Sequence, residues 1–115
     1  GEEAGHLFIA MEYIRGLTLN QIVKQLGARG GKLAPALAAG ILRQACLGLH
    51  AAHQLPIQVV HRDVSPNNIM IMPESVKVID FGVAQAKNRV GASFTEGGKM
   101  TGCPPYMSPE QIRTL

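Results

Sequence analysis

The stretch HRDVSPNNIMIMPESVKVIDFG, residues 61–82, decides how the middle of this chain folds. Two apolar runs, IMIM and VKVI, are separated by Pro-Glu-Ser at residues 73–75, which is typical of a hairpin turn. Polar residues stand at the outer end of each run. Because a hairpin brings its two ends together, Asn68 and Asp80 are predicted to face each other. Neighbouring strands lie about 5 Å apart, so the two residues should be separated by roughly that distance.

The two residues at this end of the hairpin have the chemistry of a magnesium site. An amide oxygen and a carboxylate are hard ligands, and Mg²⁺ is bound by one or two such groups together with substrate phosphates. Asp63 lies on the same loop, five residues before Asn68. It is near the pair without being forced to ligate, so its carboxylate is left to orient a hydroxyl and accept its proton.

Three motifs in this chain resemble those of one enzyme family. HRDVSPNN resembles the H-R-D-x-x-x-x-N catalytic loop of eukaryotic-type (Hanks-type) Ser/Thr protein kinases, and DFG at residues 80–82 matches their metal-binding motif. GCPPYMSPEQ, residues 102–111, is similar to the end of their activation segment, with SPE in the A-P-E position. The combination of VSP and YMSPEQ is most similar to bacterial members.

The resemblance implies a partial α+β kinase fold. Residues 1–14 correspond to the end of the small lobe and the hinge, and residues 15–115 to part of the large lobe. The family's glycine-rich loop, its β3 lysine and its αC glutamate have no counterpart in the sequence, and neither do the last helices of the large lobe. We therefore expect the isolated 115 residues to be inactive.

The activity that the resemblance implies is transfer of the γ-phosphoryl group of Mg-ATP to Ser or Thr hydroxyls of proteins. Asp63 corresponds to the catalytic base, while Asn68 and Asp80 correspond to the Mg²⁺ ligands. Arg62 corresponds to the residue that contacts a phosphorylated activation loop. The candidate phosphate acceptors in that loop are Ser93, Thr95 and Thr101.

The sequence MEYIRG resembles the hinge that holds ATP between the lobes. In that alignment Met11 is the gatekeeper, and the backbones of Glu12 and Ile14 bind adenine. Met70 forms the floor under the ring.

Two positions depart from the family pattern. Ser65 stands where Ser/Thr kinases usually carry a catalytic lysine, and Cys103 stands where they usually carry a threonine. We expect the two positions to have changed as a pair, with Lys99 supplying the positive charge that the lysine would have carried. The alternative is that Ser65 has no catalytic role and only caps a turn. The departure keeps open a pseudokinase or scaffold that binds partners without catalysis, and a small-molecule kinase is a further alternative.

Composition limits the other possibilities. Apolar residues make up 46% of the chain and aromatic residues 4%, so a mainly aliphatic core is expected. The net charge is +3 with basic residues scattered along the chain, which argues against a nucleic-acid partner. No apolar run approaches membrane-spanning length, and the acidic start GEEAGH lacks the layout of a signal peptide. Two cysteines without a pairing pattern suit a reducing, cytoplasmic compartment.

Local signals predict the remaining elements. Residues 7–14 have the composition of a strand, and Thr18 is typical of an N-cap for a helix over residues 19–26. Pro35 suits the first turn of a long helix that ends before Pro56. Its apolar stripe (Leu37, Ile41, Ala45, Leu49 and Ala52) is predicted to be core, with Cys46 beside it. GARGGK, residues 27–32, is interpreted as a connector because its glycine spacing does not fit a phosphate-binding loop, and His61 is expected to pack under the DFG turn.

Overall fold

The described strands form two small sheets, one of two strands and one of three. A computed structural model describes residues 1–57, 59–81 and 103–113. The strands are β1 (Glu2–Glu3), β2 (His6–Leu7), β3 (Leu17–Thr18), β4 (Ile69–Ile71) and β5 (Val76–Val78). The helices are α1 (Leu19–Ala28), α2 (Pro35–His53) and α3 (Pro109–Arg113), with 3₁₀ helices at Pro66–Asn68 and Pro104–Tyr106. The α+β prediction is confirmed.

The predicted hairpin is present. β4 and β5 pair antiparallel, with Ile69 opposite Val78 and Ile71 opposite Val76. The backbone N–H of Met72 donates to the carbonyl of Ser75 at 2.9 Å and closes the turn. β3 adds a third antiparallel strand beside β4, giving the order β3-β4-β5.

The approach of the chain to β4 before β3 depends on a glycine. A Cβ atom on Gly16 would lie 2.4 Å from the carbonyl oxygen of Ile71, which is well inside contact distance. The absence of a side chain therefore lets the backbone before Leu17 approach β4 closely.

Helix α1 begins where the sequence predicts. The hydroxyl of Thr18 accepts from the backbone N–H of Gln21 at 3.1 Å, and the Gln21 side chain accepts from the Thr18 backbone N–H at 2.8 Å. This reciprocal pair is a capping box. The helix continues to Ala28, two residues beyond the predicted end.

Helix α2 covers the hairpin and forms the core with it. Pro35 is its first residue, as predicted. Its residues Ile41 and Ala45 are buried together with Leu19 and Ile69. The predicted stripe is buried only in its middle, because Leu37 is 57% exposed.

The prediction that Cys46 is a core residue is wrong, since this side chain is exposed. Cys46 follows Ala45 by about 100° around the helix. The face that carries Ala45 packs on the hairpin, so Cys46 is turned away from it.

The prediction of a strand over residues 7–14 is also wrong. Only Leu7 belongs to a strand, β2, which pairs with β1. A strand needs a neighbour to take its backbone hydrogen bonds. No described strand pairs with residues 8–14, and the side chains of Ile9 and Tyr13 are 72% and 84% exposed.

Of the helices in the described ranges, none has both the length and the apolar character required to span a bilayer.

Candidate active site

His61 anchors the polar loop to the end of the hairpin. Its side chain is 2% exposed, and its Nε2 lies 2.8 Å from the carbonyl oxygen of Ile79. Its ring meets that of Phe81 edge to face, with centroids 4.7 Å apart. The prediction that His61 packs under the turn at residues 80–82 is confirmed as far as Phe81.

The second nitrogen of His61 holds the backbone of Asp63. The Asp63 N–H donates to His61 Nδ1 at 3.2 Å. Because Nδ1 accepts this bond, the proton of the neutral ring belongs on Nε2, which then donates to Ile79. A single imidazole thus connects Asp63 to the strand end that precedes Asp80.

Asn68 contacts Asp63 directly. Its Nδ2 donates to the Asp63 carbonyl at 2.8 Å and to the Asp63 carboxylate at 3.2 Å. The 3₁₀ helix Pro66–Asn68 sets this geometry, since the Asn68 N–H donates to the Ser65 carbonyl at 2.9 Å. Both residues are half-buried.

Asp80 lies at the same end of the hairpin. The N–H of Ile79 donates to the Asn68 carbonyl at 2.9 Å, which continues the β4–β5 ladder by one pair. Asp80 is the next residue along, and it is exposed. The backbones of residues 68 and 80 are therefore near neighbours.

Two residues of this site have left-handed backbones, with φ of 65° at Arg62 and 61° at Asp80. Such conformations are unfavourable for residues with side chains, and they concentrate at functional sites. Arg62 directly precedes Asp63, and Asp80 is itself a predicted metal ligand.

Ser65 is 3% exposed and directly precedes the 3₁₀ helix. Its side chain makes no capping hydrogen bond there. Burial favours a structural role for Ser65, and its catalytic role stays a prediction.

The predicted hinge touches the sheet through an ion pair. Lys77 Nζ lies 2.7 Å from the Glu12 carboxylate, and Lys77 is opposite Met70 in the β4–β5 register. Directly paired residues share a face of the sheet, so Glu12 is drawn to the face that carries Met70. Met11 is 69% exposed and Ile14 is half-buried.

Residues 103–113 reach back to the loop. Gln111 Nε2 donates to the Arg62 carbonyl at 2.6 Å, and Gln111 Oε1 accepts from the Ser108 N–H at 3.0 Å. A hydrogen bond from Ser108, followed by one from its own backbone, lowers the pKa of the exposed Glu110 carboxyl. Cys103 is half-buried, whereas Ser93, Thr95, Lys99 and Thr101 lie outside the described residues.

Comparison with known protein families identifies the family of the chain. The family model described as the protein kinase domain matches residues 2–115. The chain belongs to the protein kinase family.

Three bacterial proteins illustrate the similarity of this chain to individual relatives. It is 44% identical over 107 residues to the serine/threonine-protein kinase PknB of Mycolicibacterium smegmatis, covering 92% of the chain and 16% of that relative. PknB of Mycobacterium tuberculosis is 42% identical with the same coverage. The serine/threonine-protein kinase pkn3 of Myxococcus xanthus is 41% identical over 118 residues, covering 96% of the chain and 20% of the relative. The chain thus spans about a fifth or less of the length of these relatives.

Sequence reasoning missed several long-range side-chain contacts among the residues that the structure describes. They include the Glu12–Lys77 ion pair, the Gln111–Arg62 hydrogen bond and a hydrogen bond from Asn20 Nδ2 to Asn67 Oδ1 at 2.7 Å. One signal was available, because S-P-E-Q at residues 108–111 fits the S-x-x-Q pattern of a helix start. The partners across the chain carry no such local signal.

Proposed function

We propose that the protein containing this chain transfers the γ-phosphoryl group of ATP to Ser or Thr hydroxyls of proteins. The observation that carries the proposal is the pair of hydrogen bonds from Asn68 Nδ2 to Asp63. They join the predicted base to a predicted metal ligand, at the end of the hairpin where Asp80 follows.

The donor chemistry of Asn68 and Asp80 fits Mg²⁺. Because Asn68 Nδ2 is used by Asp63, the amide presents its Oδ1 oxygen in another direction. No described residue donates a hydrogen bond to that oxygen or to the Asp80 carboxylate. Mg²⁺ is commonly bound by one or two protein groups together with substrate phosphates, and in the described ranges no group of three or more His, Cys, Asp or Glu side chains could hold a metal ion.

Bound Mg²⁺ would neutralise charge on the phosphate oxygens. Asp63 acts on the acceptor hydroxyl, whose oxygen forms the new bond to the γ-phosphorus. The bond from that phosphorus to the bridging oxygen breaks, and its electron pair leaves with ADP. The hydroxyl proton passes to the Asp63 carboxylate.

Asn68 and His61 orient Asp63 for this step. Asn68 holds the carboxylate and the carbonyl, while His61 Nδ1 holds the backbone N–H. Fixing a base from several directions lowers the entropy that must be lost in the transition state.

The hinge proposal follows the family pattern. The backbones of Glu12 and Ile14 would bind adenine beside Met11, with Met70 under the ring. The Lys77–Glu12 pair supports this, because it joins the Glu12 side chain to the strand opposite Met70. The side chains of Lys77 and Glu12 are 41% and 69% exposed, so the pair contributes at most about 1 kcal/mol.

The regulatory proposal concerns Arg62. Its side chain is exposed, and a phosphate on Ser93, Thr95 or Thr101 would gain charge-assisted hydrogen bonds from it. We also propose a cytoplasmic location, which suits the free thiols of Cys46 and Cys103.

The second candidate is a protein of this fold that binds partners without catalysis. The observation that favours it is Ser65, a buried side chain without charge where the family carries lysine.

Phosphoryl transfer by the natural full-length protein separates the two candidates. With γ-labelled ATP and a generic protein substrate, we expect label on Ser or Thr and a loss of about a thousandfold or more in Asp63→Asn, the scale of a lost general base plus its orientation. Glu74→Gln is the control, because it removes the same charge from the exposed hairpin turn. Equal transfer by Asp63→Asn and wild type would remove Asp63 as the base, and no transfer by the wild type would favour the binding protein.

A further inference from the structure

We propose that Gln111 is a positioning residue that couples the segment of residues 103–113 to the peptide bond preceding Asp63. The proposal rests on the proposed phosphoryl transfer for its catalytic readout. Its basis is one side chain with two backbone partners: Gln111 Nε2 donates to the Arg62 carbonyl at 2.6 Å, and Gln111 Oε1 accepts from the Ser108 N–H at 3.0 Å.

The two contacts fix which end of the amide is which. An amide side chain has a donor nitrogen and an acceptor oxygen. Turning the amide of Gln111 over would set its N–H groups against the Ser108 N–H and its oxygen against the Arg62 carbonyl. Only the observed orientation satisfies both partners.

The bond to Arg62 acts on the backbone of the predicted base. The Arg62 carbonyl and the Asp63 N–H belong to the same planar peptide unit. Gln111 holds the carbonyl end, and His61 Nδ1 holds the N–H end at 3.2 Å. Hydrogen bonds at both ends of this peptide unit therefore fix its orientation, and with it the backbone position of Asp63.

The same peptide unit follows an unfavourable backbone conformation. Arg62 has a φ of 65°, in the left-handed region that residues with side chains rarely adopt. Such a conformation persists where surrounding contacts determine it. Gln111 supplies one of these contacts from 49 residues away in the sequence.

The consequence is a mechanical link between two parts of the chain. Gln111 belongs to α3, and Ser108 directly precedes that helix. A shift of residues 103–113 would withdraw the donor from Arg62 and release the peptide unit of Asp63. We therefore infer that the turnover number depends on the position of residues 103–113 relative to the loop that carries Arg62 and Asp63.

The test compares glutamine variants in the natural full-length protein. Gln111→Glu keeps an acceptor for the Ser108 N–H but replaces the donor facing the Arg62 carbonyl by a second acceptor. Gln111→Met has a similar length and removes both bonds. Gln44→Glu is the matched control, because Gln44 Oε1 only accepts, from the Val76 N–H at 3.0 Å, and glutamate can accept equally well.

We expect both Gln111 variants to lower kcat by roughly ten- to a hundredfold, the effect of a slightly misplaced catalytic group. The KM for ATP should change by less than about twofold, since the contact orients the base and not the nucleotide. Amide hydrogen exchange at Asp63 should become faster in both variants, and Gln44→Glu should match wild type in every measurement.

Three outcomes would overturn the proposal. The first is an unchanged kcat with unchanged exchange at Asp63. The second is a loss of activity that comes with an equal loss of ATP binding and a lower unfolding temperature, since that means general destabilisation. The third is exchange at Asp63 that equals wild type in both Gln111 variants of a protein whose wild type transfers no phosphoryl group. In such a protein the proposed function fails by itself, and faster exchange in both variants would still support the link.

Discussion

The imidazole Nε2 of His61 lies 2.8 Å from the carbonyl oxygen of Ile79, so the loop before β4 is attached to the chain after β5. The same ring accepts from the Asp63 N–H through its other nitrogen. A buried side chain with two backbone partners holds the ends of the hairpin in one arrangement, and the site depends on that arrangement.

Replacing His61 by alanine should therefore destabilise the protein. The change removes a buried ring and leaves the Ile79 carbonyl without its partner, which together lower the free energy of unfolding by about 2–4 kcal/mol. Urea unfolding measures this. His50→Ala, on the exposed surface of α2, should stay within about 0.5 kcal/mol of wild type, and equal effects of the two substitutions would contradict the role given to His61.

Gly16→Ala should destabilise the sheet. The new Cβ would meet the Ile71 carbonyl oxygen at 2.4 Å, and relieving such an overlap costs about 1–3 kcal/mol. Gly40→Ala is the matched control, because nothing lies within 4 Å of its Cβ position in α2, so it should stabilise by about 0.5–1 kcal/mol. Thermal unfolding should move in opposite directions for the two variants, and a shift in the same direction would show that the approach of residue 16 to β4 is not tight.

Thr18→Ala should remove half of the capping box. The Gln21 N–H loses its acceptor, which lowers the free energy of unfolding by about 1 kcal/mol. Thr18→Ser keeps the hydroxyl and should recover most of this loss. If serine and alanine destabilise equally in urea unfolding, the cap is not the source of the effect.

The contact between Ser108 and Glu110 makes a prediction about pH. The Ser108 hydroxyl is the largest cause of the lowered pKa of Glu110, so Ser108→Ala should raise that pKa toward the ordinary carboxyl range. A lowered pKa means that the contact stabilises α3 at pH values above the ordinary range and is lost as the pH falls through the lowered value. An NMR titration of the Glu110 side chain measures the change, and an unaltered pKa in the variant would exclude the hydroxyl as its cause.

Local signals in the sequence predicted the parts of the fold that local chemistry determines. Thr18, Pro35 and the turn at residues 73–75 act through their own backbones or near neighbours, and each was predicted correctly. The prediction of a strand over residues 7–14 was wrong, because a strand needs a neighbouring strand to pair with and composition does not show whether one is present. The prediction that Cys46 is a core residue was wrong, because only the face of α2 that packs on the hairpin is buried.

The site divides in the same way. The fixed spacing of Asp63 and Asn68 made their association predictable, since the intervening residues form one compact loop. Gln111 and Arg62 are 49 residues apart, and their contact depends on where the chain returns. Aspartate is enriched in the left-handed region but arginine is not, so the conformation of Arg62 had no signal of its own in the sequence.

The most direct test of the central claim measures how tightly the full-length protein binds Mn²⁺ in the presence of a non-hydrolysable ATP analogue. Mn²⁺ stands in for Mg²⁺, because its binding can be measured by electron paramagnetic resonance. Asn68→Ala and Asp80→Asn should each weaken binding by about tenfold or more, the scale of a lost ligand or its supporting partner, while Glu74→Gln should stay close to wild type. Wild-type affinity in both site variants would contradict the claim that the two ends of the hairpin hold one ion beside Asp63.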